Sequence, residues 1–390
     1  MMHYSKNASS LEGSATLQLT ALAASMKAAG KDIVSLTAGQ PDFRTPKAAI
    51  DAAERAMAQG KTLYTPNLGI NELREAVASR WNAKHSQNYK IENTMVSCGA
   101  KHSIANLLEA AVNPGDRVLL PKPYWVSYPE MVKRLGGICV YPESESMLLS
   151  GDDIRKAAAA GATGLVFNSP CNPSGLVNSM EMVKDIAAAV RETGIWVISD
   201  DIYEDLYFGQ GNVPHILAAD PGLVDQVALV SGVSKTYAMT GWRIGFAIAN
   251  PQWIKIAGRI QAHTTSNPCS ISQYASVAVV NGEAEEDREY MFNAFRRRRD
   301  LICDLLKGVS GIEFQRPEGA FYVYPRIKAD TPVDSALFCN ALLEEAGLGV
   351  IPGSAFGTEG YIRLSFAASD DDIAEAVKRL NEFLERGDFR

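Results

Sequence analysis

The chain has 390 residues, 46% of them hydrophobic and 21% charged, with a formal net charge of −7 at pH 7. That length allows two or three domains with a large core, and the acidic balance argues against nucleic acid or an anionic membrane as the main partner. No apolar run approaches the roughly 20 residues needed to cross a bilayer. The opening stretch "MMHYSKNASSLEGSA" lacks an apolar signal core, so a cytoplasmic protein is expected.

In chain order, the first 47 residues pair a helical pattern, "SATLQLTALAASMKAAG", with "IVSLTAGQPDF". They are too few for a domain and are expected to dock on another part. From 48 to 290, short apolar runs alternate with helical patterns. "TMVSC" precedes "AKHSIANLLEAAV", "DRVLLPKP" precedes "YWVSYPEMVKRLG", and "GLVFNSP" precedes "SMEMVKDIAAAVRETG"; "IWVISDD" and "VALVSGVSK" follow. Continuous apolar strands with helices between them imply a mainly parallel sheet covered on both faces. The remainder, 291–390, reads as an α+β unit that the first 47 residues join: a basic helix "EYMFNAFRRRRDLICDLLKGV", then "EFQRPEGAFYVYP", a helix "SALFCNALLEEAG", the strand "GYIRLSFA" and a last helix from about Asp371. The run "RRRRD" at 296–300 is expected to be a solvated helix face with ion pairs.

Six scattered cysteines without a CxxC pair, and five dispersed histidines without HExxH, argue against a metal centre or a disulfide framework. Polar residues gather instead at the strand ends, where doubly wound sheets bind ligands. Asn168 and Asn172 follow "GLVF", Asp200 and Tyr203 follow "IWVIS", "SCGAK" follows "NTMV", and Lys235 follows "VALVSGVS", with Arg243 close behind. Taken singly, the Asp and Asn residues read as turn formers and the lysine as a solvated side chain. A phosphate-cradling loop is excluded for Lys235, because Ser234 and Leu229 stand where it needs glycines. A serine-acylation motif is excluded because Gly232 stands where it needs the serine. Pyridoxal phosphate asks for the whole set: a lysine for a Schiff base, an acid for the pyridinium nitrogen, and an arginine with a helix N-terminus for the phosphate.

The stretch "SGVSKTYAMTGWRIG" resembles the lysine signature of class I pyridoxal-phosphate-dependent aminotransferases, of the aspartate aminotransferase family and its bacterial aspartate/prephenate-type branch. The likeness continues through "LTAGQPDFRTP", "YTPNLGINELREAV", "CGAKHSI", "NPGDRVLLPKPYWVSYPEMV", "NSPCNPSG", "SDDIYEDL", "PEGAFYVYP" and "YIRLSFA". It implies a fold-type-I α/β enzyme, with a large domain (48–290) on a mainly parallel seven-stranded sheet and a smaller α+β domain (1–47 with 291–390). It also implies a homodimer with shared active sites. By this resemblance Lys235 forms the Schiff base and moves the reacting proton, and Asp200 keeps the pyridine nitrogen protonated. Tyr203 and Asn172 bond the ring oxygen, and Trp125 stacks on the ring. Arg243, Ser234 and the backbone of Ala100 and Lys101 surround the phosphate, with Tyr64 reaching in from the neighbouring subunit. Gly232 stands where relatives often carry a serine, with Ser231 as a substitute. Arg363 and the backbone of Gly39 hold the substrate α-carboxylate.

The resemblance implies ping-pong amino transfer between an L-amino acid and a 2-oxo acid such as 2-oxoglutarate. Lys101 matches a lysine associated with the distal carboxylate of aspartate or glutamate; its plainer role is to neutralise the phosphate. Relatives that accept prephenate carry a lysine where this chain has Glu12, and an acid there would repel a second carboxylate. Aromatic or other neutral amino acids remain alternatives, as does a lyase reaction on the same fold. A regulator built on this fold is a further alternative, disfavoured because about 30 residues before "GKDIVSL" leave no room for a DNA-binding domain.

Overall fold

The computed structural model describes residues 2–9, 11–13, 15–85, 87–142, 146–329 and 332–387. Its centre is one sheet of seven strands: β1 (Thr94–Ser97), β2 (Arg117–Leu119), β3 (Ile138–Val140), β4 (Ala162–Asn168), β5 (Trp196–Asp200), β6 (Val227–Gly232) and β7 (Gly245–Ile248). They lie in the order β1-β7-β6-β5-β4-β2-β3. Neighbours are parallel except at β7, which runs antiparallel to both β1 and β6.

The apolar runs of the sequence are buried on both sides because successive side chains leave a strand on opposite faces. Leu165 and Phe167 of β4, Val197 of β5 and Leu229 of β6 enter one core. Val166, Ile198, Ala228 and Val230 enter the core on the other face. Each fully buried Val, Leu or Ile contributes about 1.5–3 kcal/mol, so a polar residue at these positions would be strongly selected against. Helices supply the covering layers. Ser179 starts the Met180–Thr193 helix by accepting from the Met182 N–H, and Gly194, at φ 72°, ends it; left-handed backbone of this kind favours glycine.

A second core gathers Leu36, Phe295, Phe321, Phe338, Leu364 and Ile373. Around it stand the helices Glu285–Leu306, Ser335–Ala346 and Asp370–Arg386. A small antiparallel sheet joins Tyr322–Val323, Ile362–Ser365 and Ile351–Pro352. The N-terminal segment is tied into this unit, since Val34–Ser35 pairs in parallel with Leu348–Gly349. The helix Glu285–Leu306 runs unbroken through residue 291, so the chain passes between the two cores along a continuous helix.

Its basic run differs in part from the expected solvated face. Arg297 does pair with Asp370 at 3.1 Å. Arg298 and Arg299, however, are buried. Arg298 forks onto both oxygens of Asp42 at 2.8 and 2.9 Å and lies over the Phe43 ring, while Arg299 lies over Phe208. Long basic side chains here cover apolar surface while keeping an ionic partner.

Candidate active site

The carboxyl ends of β4, β5 and β6 open into a cavity of about 460 Å³. Of the expected site residues, Gly39, Ala100, Lys101, Trp125, Asn172, Asp200, Tyr203, Ser234, Lys235, Arg243 and Arg363 all line it. Tyr64 does not, and it is 92% exposed. Ser231 points elsewhere, its hydroxyl donating to the Asp201 carbonyl at 3.4 Å.

Lys235 sits in a one-turn helix, Val233–Thr236, that follows β6 directly. Its ammonium donates to the Gly39 carbonyl at 2.5 Å, tying the N-terminal segment to the cavity floor. Burial, then the neighbouring Arg363 and Arg243 cations, bring Lys235 down to about 8, with Asp200 opposing. Asp200, the last residue of β5, is pushed up to about 6 by burial. Its Oδ2 accepts the Tyr128 hydroxyl at 2.6 Å and its Oδ1 the Ile202 N–H at 3.2 Å, and both bonds favour the carboxylate.

Arg243 adopts a left-handed backbone conformation, φ 56°. Its guanidinium donates to the Thr240 carbonyl at 2.8 Å and the Cys98 carbonyl at 3.3 Å. It therefore lies against Gly99, where φ is +86° and any Cβ would collide with the guanidinium. Gly99 caps the helix Ala100–Ala111, so the positive end of that helix and the Arg243 charge face one spot. Arg363 is 2% exposed. It donates to Asn172 Oδ1 and to the Thr37 carbonyl, both at 2.9 Å, and its Nε has no partner among the described residues. Lys101 lies 4.8 Å over the Trp125 ring. Burial lowers its proton affinity, and Arg243 lowers it further.

Among the lining residues outside the expected site set are Tyr128, Tyr322 and Asn168. Tyr128 and Tyr322 read as core aromatics in sequence, although Tyr128 follows Trp125 by three positions. Tyr322 approaches the Tyr203 hydroxyl at 2.9 Å. Asn168, a strand-end residue, donates to the Asp200 carbonyl at 2.8 Å and accepts the Asn172 N–H at 2.9 Å, bracing both. Glu12 lines an adjoining cavity of about 520 Å³ that shares Lys101 and Arg243 with the first.

The crevice sets two lysines, two arginines and one carboxylate, Asp200, beyond a mainly parallel sheet. Residues 31–380 match the family described as aminotransferase class I and II. The aspartate aminotransferase of Geobacillus stearothermophilus is 38% identical, over 98% of this chain and 99% of that protein. The aspartate/prephenate aminotransferase of Cereibacter sphaeroides is 39% identical, over 95% of this chain and 96% of that protein. Among solved structures, aspartate aminotransferase from Thermus thermophilus with maleate superposes with a TM-score of 0.92 at 37% identity, covering 98% of this chain and all of that one. The chain belongs to the class I and II aminotransferases. It is an amino-group-transferring enzyme on the fold-type-I scaffold.

Proposed function

We propose that the chain holds pyridoxal phosphate on Lys235 and moves the amino group of a dicarboxylic amino acid, L-aspartate first, to a 2-oxo acid such as 2-oxoglutarate. The carrying observation is the charge of the cavity. Its lining sets Lys101, Lys235, Arg243 and Arg363 against one carboxylate among the described residues, Asp200. A phosphate together with a two-carboxylate substrate complements that excess of cations.

The residues fit the cofactor. Gly99 leaves the room beside Arg243 that a side chain would fill, and the Ala100–Ala111 helix begins there, which suits a phosphate. Bound there, the cofactor supplies a carbonyl for amines and a ring that draws electron density from the substrate Cα. The protein's residues do the rest. Lys235, lowered to about 8, is partly neutral near pH 7 and serves as the base at the substrate Cα. Asp200 would hold the ring nitrogen as a cation, while Tyr203 and Asn172 would bond the ring oxygen. Arg363, fixed by Asn172 and Thr37, would receive the α-carboxylate as a bidentate fork. Lys101 would meet the distal carboxylate.

A homodimer belongs to the same reading, supported by the exposure of Tyr64 on the monomer surface. So does a cytoplasmic location; among the described residues no helix is long and apolar enough to cross a membrane. The test is half-reaction spectroscopy across a panel of amino acids. Aspartate should convert the bound cofactor's absorbance faster than alanine or phenylalanine. The reverse order would replace aspartate by a neutral donor, and release of ammonia would point to lyase chemistry.

A further inference from the structure

Tyr322 lies within "PEGAFYVYP", opens a strand of the small sheet and is fully buried. Its ring and its hydroxyl face different partners. The Arg363 guanidinium lies over the ring, 4.4 Å from the centroid, while the Phe356 ring is 5.1 Å from the same cation. The hydroxyl is 2.9 Å from the Tyr203 hydroxyl. It also lies close beside Gly39, where a methyl group would sit 3.4 Å from it.

We infer that Tyr322 is a positioning residue with two separable roles: its ring seats the Arg363 guanidinium, and its hydroxyl donates to Tyr203, leaving the Tyr203 proton free for the cofactor ring oxygen. This inference rests on the proposed cofactor and carboxylate sites. A phenol has one proton to donate and can also accept. If Tyr203 donated to Tyr322, its proton would be committed away from the cavity, and only a lone pair would face the ligand. The direction is set by charge. A cation against the Tyr322 ring favours loss of that hydroxyl's proton, which makes Tyr322 the stronger donor of the two. Burial raises both hydroxyls and Arg363 draws both back, but Tyr203 is raised further by Tyr322 and Asp200 and stands well above its ordinary value, which leaves Tyr322 the more acidic of the two. The charged groups facing the pair are Arg363, Asp200 and Lys235; the last bonds to the Gly39 carbonyl, and Asp200 acts on Tyr203.

Two variants of the pyridoxal-phosphate-loaded protein separate the roles, read by the pH titration of the bound cofactor's absorbance and by the dissociation constant for maleate, a non-reacting dicarboxylate. Tyr322→Phe keeps the ring. Its titration midpoint should rise by about 0.5 unit, because a weaker Tyr203 donor stabilises the ring-oxygen anion less, while maleate affinity changes by less than about twofold. Tyr322→Leu removes the ring as well and should also weaken maleate binding about tenfold. A midpoint in Tyr322→Phe that stays put or falls overturns the hydroxyl role. Equal maleate affinity in the two variants, or a tenfold loss already in Tyr322→Phe, overturns the ring role. Should Tyr322→Leu fail to fold, Tyr322→Met replaces it under the same criterion. A wild-type protein that binds neither pyridoxal phosphate nor maleate refutes the proposed function instead, so the two failures are distinct.

Discussion

The Tyr128 hydroxyl reaches Asp200 Oδ2 at 2.6 Å from a helix 72 residues earlier in the chain. Burial raises Asp200 to about 6, and this hydrogen bond is the first influence that opposes the rise. A hydrogen bond to the charged form lowers a carboxyl pKa, so removing it raises the pKa.

Tyr128→Phe should therefore make Asp200 easier to protonate, and activity requires it ionised. The acid limb of kcat/KM should move up by about one pH unit, the scale of a charge-assisted hydrogen bond. Activity near pH 8 should suffer less than activity near pH 6. A pH profile displaced in neither limb would remove Tyr128 from the account of Asp200.

Lys235 is expected to be the residue that carries the cofactor. The purified protein should be yellow, and borohydride should fix a pyridoxyl group on the peptide containing Lys235. Peptide mapping that found the label on Lys101, the other lysine lining the cavity, would reassign the site.

Much of this crevice was legible because its residues sit in continuous motifs at strand ends. Asp200 ends β5, and Lys235 follows β6 within one turn, so local sequence and sheet topology together predict their meeting. Tyr128 and Tyr322 escaped for the opposite reason. Both are almost wholly buried among apolar residues, and an aromatic at such spacing is indistinguishable from core until its hydroxyl partner, far away in the chain, is known. The boundary expected near residue 291 carries no turn signal, because the Glu285–Leu306 helix runs through that position without a break. Arg298 reads as a surface charge until Asp42 is folded against it.

Tyr64 is 92% exposed in the single chain, as a residue serving a partner's site would be. Lys235→Ala and Tyr64→Phe subunits, each impaired alone, should restore partial activity when mixed and reassembled, because one site per heterodimer then holds both native residues. Full activity in dilute monomer, checked by sedimentation, would refute the shared site.

Away from the cavity, Asp205 is clamped by Lys84 at 2.8 Å and Arg80 at 3.0 Å. Although burial acts against it, these cations hold its carboxyl well below the ordinary range. A depressed acid stabilises the fold above its unfolded pKa of about 3.9 and loses that contribution as pH falls toward the folded value. Asp205→Asn takes the carboxylate from Arg80, while Lys84 keeps Glu204 at 3.0 Å, and should cost about 1–3 kcal/mol in urea unfolding at pH 7. The gap from wild type should narrow as pH is taken below about 4. A constant gap across that range would show the loss to be packing alone.

The dicarboxylate preference rests on Lys101, which has no carboxylate in ion-pair contact among the described residues and lies over Trp125 at 4.8 Å. Lys101 is exposed in the single chain; if it pairs with a distal carboxylate, Lys101→Gln should cost about 1.4 kcal/mol or more, tenfold, of transition-state binding for aspartate. Alanine and phenylalanine should lose only what a weakened phosphate site costs every substrate. Glu12 supplies the counter-test, since it shares the adjoining cavity with Lys101 and Arg243 and an acid there opposes a second carboxylate. Glu12→Lys should raise kcat/KM for aspartate and for prephenate, because a repulsive charge becomes attractive. The deciding quantity is kcat/KM for aspartate divided by that for alanine, in wild type and in Lys101→Gln. A ratio that falls by tenfold or more assigns Lys101 to the substrate; an unchanged ratio leaves it a phosphate residue and removes the ground for aspartate.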